Sequence, residues 1–243
     1  MRPRVKPITK LASWKSAIVP YREPEPGSHA TGDQILSADF YAREPRLVSR
    51  DLLGKVLIRR EARRVLAGRI VEVEAYLGEN DPAAHAAAGR TARNYVLFGP
   101  PGRAYVYFIY GNHYCLNVSC EPDGIAGGVL FRALEPIAGI EWMAKQRGIS
   151  IDRGKPASLR LLTSGPGRLA EAFGVTRLRD NDKDLTSPTS DLQIVDDGYA
   201  SPRVVVGPRI GITKAVAHPL RYIIAGNPFV SGKRAPADPR SQR

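Results

Sequence analysis

The 243-residue chain is expected to form an α+β fold in a single domain, and three observations lead there. Helix signals come first, a strand-rich middle follows and mixed short elements close the chain, so the sequence lacks the βαβ alternation of a parallel sheet. No internal repeat is present. Length allows one or two domains at ~150 residues each, and a chain of this size buries roughly 70% of its unfolded surface without a disulfide or metal. Hydrophobic residues make up 43% and charged residues 25%, as in ordinary globular chains, which excludes disordered, collagen-like and disulfide-scaffold classes.

Residues 1–35 mix Lys, Arg and Pro with scattered apolar residues and read as a basic flexible arm. Folding is expected over 36–231, with 232–243 as a basic tail. Ser37 is placed to cap a short helix through ADFYAR, and residues 47–53 read as a second helix stopped by Gly54. Strand-like runs follow at 55–60, 64–66, 68–77, 104–110, 114–119 and 128–134. Apolar residues at helical spacing make 137–147 a helix ending at Gly148, and 169–173 a shorter one ending at Gly174. Short strands are expected at 192–195, 204–206 and 221–225.

The net charge of +12 points to a polyanionic partner. Arginine outnumbers lysine by 27 to 9, which fits either a GC-rich genome or recognition of phosphate by the guanidinium fork. Two cysteines, Cys115 and Cys120, read as free thiols in a reducing cytosol. No apolar run reaches the ~18 residues of a spanning helix, and the N-terminal stretch does not read as a secretory signal, so a cytoplasmic protein is expected.

Three segments carry the chemistry. In VEVEAYLG, period-2 alternation puts Glu72, Glu74 and Tyr76 on one face of a strand and Val71, Val73 and Ala75 on the other. The two carboxylates would then sit roughly 7 Å apart. Partial burial with mutual repulsion would raise one pKa toward general-base use; a solvated polar face on an edge strand is the alternative. In DPAAHAAAGRTARN, Asp81 and Pro82 resemble a helix start with His85 one turn in, and Arg90 and Arg93 sit in a Gly-containing loop suited to phosphate. Residues 104–120, AYVYFIYGNHYCLNVSC, contain no Asp, Glu, Lys or Arg and hold five of the 18 aromatics. They read as two strands about a GNH turn. An aromatic hairpin in so basic a chain fits stacking on bases or insertion between them, or else a core hairpin. No lysine falls between Lys55 and Lys145, so that stretch offers no amine nucleophile, and the His and Cys spacings match no metal site. GPPG at 99–102 and SGPG at 164–167 are Gly loops without a Walker pattern. These residues alone leave three readings: an enzyme acting on a base, a non-catalytic nucleic-acid-binding module, or a transferase accessory domain that grips tRNA.

In chain order DLLGKVL, GRIVEVEAYLG, DPAAHA, the GR and RN pairs of 89–94, AYVYFIYG, Cys115-Leu116-Asn117, LFRALEP, SGPGRLA and NPFVS resemble the alkyladenine (3-methyladenine) DNA glycosylase family, the class without a helix-hairpin-helix. The resemblance runs from about residue 38 to 231. It implies a compact mixed domain around a curved antiparallel sheet with a protruding β-hairpin. It also implies a monofunctional glycosylase of base excision repair, which flips alkylated or deaminated purines out of duplex DNA and hydrolyses the N-glycosidic bond to leave an abasic site.

By position, Glu74 would hold the attacking water and Arg132 would help place it or the neighbouring phosphate. Tyr76, His85, Tyr107 and Asn117 would form the base pocket. Tyr110 would fill the gap in the minor groove with Leu97 wedged beside the lesion, and Arg90 and Arg93 would meet phosphate. The partner is then double-stranded DNA with damaged purines. No cofactor, metal or membrane is implied, and a monomer associated with the nucleoid is expected.

Overall fold

The computed structural model describes residues 34–109, 111–200 and 202–232. Residues 1–33 of the expected arm, 233–243 of the expected tail, and Tyr110 therefore lie outside the described residues.

The elements in chain order are β1 (Gln34–Ile35), α1 (Ala38–Tyr41), α2 (Pro45–Leu52), β2 (Val56–Glu61), β3 (Arg64–Tyr76), β4 (Ala104–Ile109), β5 (His113–Ser119), β6 (Gly128–Ala138), α3 (Ile140–Gln146), α4 (Pro156–Thr163), α5 (Pro166–Ala172), α6 (Arg177–Asp180), β7 (Leu192–Asp196), β8 (Val204–Gly207) and β9 (Arg221–Ile224). Within the described residues the strands form one curved, antiparallel nine-stranded sheet in the order β1-β7-β2-β3-β6-β5-β4, with β9 added to β3 and β8 to β9. This is the mixed α+β class expected from the sequence.

The 13-residue β3 organises the sheet. Its first half pairs with β2, its second half with β9, and β6 runs along its other side. Strand alternation then separates two environments. Val71, Val73 and Ala75 of β3, Phe131 and Ala133 of β6, Leu116 and Val118 of β5 and Val106 of β4 enter the main core. Helices α2, α4 and α5 cover that face with Val48, Leu52, Leu162, Leu169 and Phe173. Each fully buried Val, Leu or Phe contributes ~1.5–3 kcal/mol of transfer free energy. The residues between them on the same strands point to the opposite face.

Several boundaries differ from the sequence expectation. Ser37 occupies the N-cap position of α1, but its side chain makes no capping bond. Helix α2 begins at Pro45, because Glu44 caps it through the Arg46 amide and proline at the first turn loses no bond. The runs at 64–66 and 68–77 are one strand, since Ala67 and Gly68 remain in register with β2. Ile137 and Ala138 finish β6; Gly139, at φ +73°, breaks the chain, and α3 starts at Ile140. Helix α4 was not expected. Gln34 and Ile35, assigned to the arm, pair with β7. Asp81-Pro82 opens no helix: the Asp81 side chain accepts from the Leu77 and Ala83 amides, and His85 starts a 3₁₀ turn, His85–Ala88.

Candidate active site

The polar face of β3 to β6 borders a cavity of about 450 Å3, within the size range of small-molecule pockets. Its wall includes Tyr76 from β3, His85, Tyr107 from β4, Asn117 from β5, Arg132 from β6 and Ile210 from the loop before β9. The SGPG segment contributes Gly165, Pro166 and Gly167. Gly167 is required there, since a Cβ would lie 2.9 Å from the His113 ring that α5 packs against. Gly78, at φ +76°, starts the loop toward His85; a Cβ there would lie 2.0 Å from the Ala126 carbonyl oxygen.

Glu72 and Glu74 share the face that alternation assigns them, and both are fully buried. The solvated edge-strand alternative is therefore wrong, because β6 and β9 flank this part of β3. Arg132 joins the pair: its Nε donates to Glu72 Oε1 at 3.0 Å, and its Nη1 lies 3.2 Å from Glu74 Oε1. Glu72 also receives the Arg221 Nε at 2.6 Å, the Ser231 hydroxyl at 2.9 Å and the Ser231 amide at 2.5 Å. Glu74 Oε1 accepts the Ile210 amide at 2.7 Å and its Oε2 the Tyr76 hydroxyl at 3.2 Å.

Burial raises the Glu74 pKa above the usual carboxylate value, and the charge of Arg132 with the Ile210 and Tyr76 hydrogen bonds only partly offsets it. The Glu74 side chain does not itself form part of the cavity wall. It stands directly behind Tyr76, Arg132 and Ile210, which do. A carboxylate has about four accepting positions, so one on Oε2 remains beyond these contacts.

The aromatic side of the cavity is held together by its own bonds. His85 Nδ1 lies 2.8 Å from the Tyr105 hydroxyl, and the His85 ring packs edge-on to Tyr107 with centroids 4.4 Å apart. Burial lowers the His85 pKa, with Arg93 adding to the effect, which keeps the ring neutral near pH 7. Tyr105 and Tyr107 lie tilted at 5.5 Å. Asn117 donates to the Tyr105 carbonyl at 3.1 Å, across the β4–β5 pair. Cys115, opposite Tyr107, is buried on the cavity wall, and burial pushes its thiol pKa up. Cys115 and Cys120 are both free.

The cavity wall thus gathers Tyr76, His85, Tyr107, Asn117 and Arg132 of the residues singled out in sequence, with Glu74 directly behind it. Leu97 is 6% exposed, in the 3₁₀ turn Tyr95–Phe98, and borders the cavity within a small apolar cluster. Arg90 and Arg93 are exposed, Arg93 close enough to act on His85, and Tyr110 falls outside the described residues.

Other site residues escaped sequence reasoning. Tyr105 shares a strand face with Tyr107, so alternation alone could have named it. Ser231 lies in the NPFVS motif. Arg209 and Ile210 carry no local signal, and Asp81, in the DPAAHA motif, reads in sequence only as a helix start.

Comparison with known proteins places the chain in a family. The family model of methylpurine-DNA glycosylases matches residues 39–228. A Koribacter versatilis protein provisionally named 3-methyladenine DNA glycosylase is 69% identical over 195 residues, covering 80% of this chain and 92% of its own. Relatives with the same provisional name from Chlorobaculum tepidum and Methanocella arvoryzae are 44% and 46% identical, covering 86% and 84% of this chain and 95% and 98% of theirs. The chain belongs to the methylpurine-DNA glycosylase family, a family of hydrolases that cut the N-glycosidic bond in DNA.

Proposed function

We propose that the protein is a monofunctional DNA glycosylase. It takes an alkylated or deaminated purine, rotated out of duplex DNA, into this cavity and hydrolyses its N-glycosidic bond with a water activated by Glu74. The observation that carries the reading is Glu74 itself: a buried carboxylate with a raised pKa, paired to Arg132 immediately behind a cavity walled by aromatic rings.

A base inside a duplex cannot be reached in place, and unstacking it costs a few kcal/mol. Tyr76 and Tyr107 offer ring faces for stacking, and cation–π attraction suits a positively charged alkylated purine. The neutral His85 adds no opposing charge. Such a base is already a good leaving group, so the protein's work falls on the water. Ionised Glu74 takes the water's proton as the oxygen attacks the sugar carbon, and its charge steadies the oxocarbenium character that develops there. Arg132 orients Glu74 and faces the cavity. Among the described residues that border the cavity there is no lysine, which supports release of the free base without an amine-linked intermediate or strand nicking.

The test is a single-turnover assay in EDTA on duplexes carrying one hypoxanthine or ethenoadenine, with alkali applied to reveal abasic sites. Wild type is expected to release the base without a nick before alkali, and Glu74→Gln to bind the duplex but lose ~10²-fold or more of the rate. Release by Glu74→Gln at the wild-type rate would remove Glu74 from the mechanism. Salt-sensitive binding without release by wild type would instead make the chain a binding module.

A further inference from the structure

Two loops meet beside the cavity without a shared strand. The first, 77–84, links Tyr76 to His85; the second, 208–220, carries Ile210, Gly211 and Ile212 on the cavity wall. One ion pair joins them. Arg209 donates from Nη1 to Asp81 Oδ2 at 2.5 Å and from Nη2 to Asp81 Oδ1 at 2.8 Å, and both side chains are buried. Asp81 in turn accepts the Leu77 and Ala83 amides, which shapes the first loop.

The same guanidinium reaches two further groups. Nη1 donates to the Ala75 carbonyl at 3.0 Å, and the Arg209 Cζ stands 4.6 Å from the centre of the Tyr76 ring. Arg209 is buried and does not border the cavity, so it covers the face of Tyr76 turned away from it. The residue next to it is Ile210, whose amide donates to Glu74 and whose carbonyl accepts from Arg132 Nη1 at 3.4 Å.

We propose that Arg209, locked to Asp81, is a positioning residue that sets both the plane of the Tyr76 ring and the Ile210 amide bond to Glu74. The inference rests on the glycosylase reading above and deepens it. A planar, bidentate fork stacked on a ring is a role that lysine cannot take over, since an ammonium lacks the plane and the second parallel donor. Glu74 is faced by Arg132 from β6, by Glu72 and Tyr76 on its own strand, by Cys115 from β5 and by Arg209 from the loop. Loosening the loop removes one hydrogen bond to the ionised carboxylate and moves a cation, and both changes raise the Glu74 pKa further.

The experiment measures single-turnover base release against pH for wild type, Glu74→Gln, Arg209→Lys, and the double variant Arg209→Met/Asp81→Leu. The double variant replaces a buried pair with apolar groups of similar volume, a change folds often tolerate. In both Arg209 variants the rate is expected to fall ~10-fold, with the acid limb of the profile moved up by ~0.5–1 pH unit through the lost hydrogen bond. Affinity for the duplex should change far less than the rate.

Folded variants with the wild-type rate and acid limb would overturn the proposal, and so would a rate loss that leaves the acid limb unmoved. If Arg209→Lys does not fold, the double variant decides; a double variant that does not fold assigns the pair to stability alone and also overturns it. The underlying reading fails separately: it falls if Glu74→Gln is active, whatever the Arg209 variants do.

Discussion

Arg59 on β2 and Arg132 on β6 are both buried against carboxylates, yet Asp180 and Asp191 beside the first and Glu74 beside the second are pushed in opposite directions. Asp180 receives both Nη groups of Arg59 at 2.9 Å, Lys183 Nζ at 2.8 Å and the Thr176 amide at 3.1 Å. Asp191 shares Arg59 and Lys183 and adds Arg179 at 2.8 Å. Burial alone would raise both acids, but these donors outweigh it and hold the two carboxyls below the ordinary value. Glu74 has one cation in direct contact, and Arg132 divides itself between Glu74 and Glu72. There burial wins and the carboxyl moves up. Between these two clusters the difference lies in the balance of donors against burial: Arg59, Lys183 and the Thr176 amide outweigh it at Asp180, whereas Arg132 and two hydrogen bonds do not at Glu74.

The contrast can be broken at several points. Asp180→Ala should have the largest effect on stability, since it removes the bidentate partner of a buried Arg59 and leaves only Asp191 to face it; a loss of ~3–5 kcal/mol is expected in urea denaturation, with base release by the folded protein retained. Loss of activity without loss of stability would invert the assignment. Glu74→Gln should show the opposite profile. A ~10²-fold rate loss equals ~2.7 kcal/mol of transition-state stabilisation, while stability should drop less than in Asp180→Ala because Arg132 keeps its hydrogen bond to Glu72. Glu61→Gln, on the exposed rim of the first cluster beside Arg179, should cost no more than ~1 kcal/mol and leave base release unchanged.

Much of the site was legible because it lies on strands. Alternation places Glu72, Glu74 and Tyr76 together from VEVEAY alone, and the same rule pairs Tyr105 with Tyr107. What stayed hidden depends on contacts made across long stretches of chain. Ile210 reaches Glu74 across 136 positions and Arg209 reaches Asp81 across 128. Nothing in GPRIGI signals either contact. The fold shows the same division. Residues 177–191 carry no motif, yet they supply Asp180 and Asp191 to Arg59, and the Lys183 carbonyl and Asp182 amide bond to Ala104 along the edge of β4. Helix α4 escaped notice because its eight residues carry only a short apolar pattern. The 68–77 run ended correctly within a residue, because Leu77 leaves the sheet where the Gly78 turn begins.

The two clusters also predict opposite dependence on pH. A raised acid keeps its proton in the folded state after the unfolded chain has lost it. Glu74 therefore contributes stability at acid pH that is lost as pH rises from the ordinary carboxylate value through its raised one. Asp180 has a lowered folded pKa, so its contribution is present above the unfolded value and is lost as pH falls through the folded one.

The most direct measurement is a carbon-13 NMR titration of the side-chain carboxyls in the intact chain, with Glu74→Gln and Asp180→Asn used to assign the two signals. The account predicts a Glu74 midpoint above the ordinary glutamate value and an Asp180 midpoint below the ordinary aspartate value. A Glu74 midpoint at or below the ordinary value would contradict it, because Arg132 would then hold that carboxylate as firmly as Arg59 holds its own.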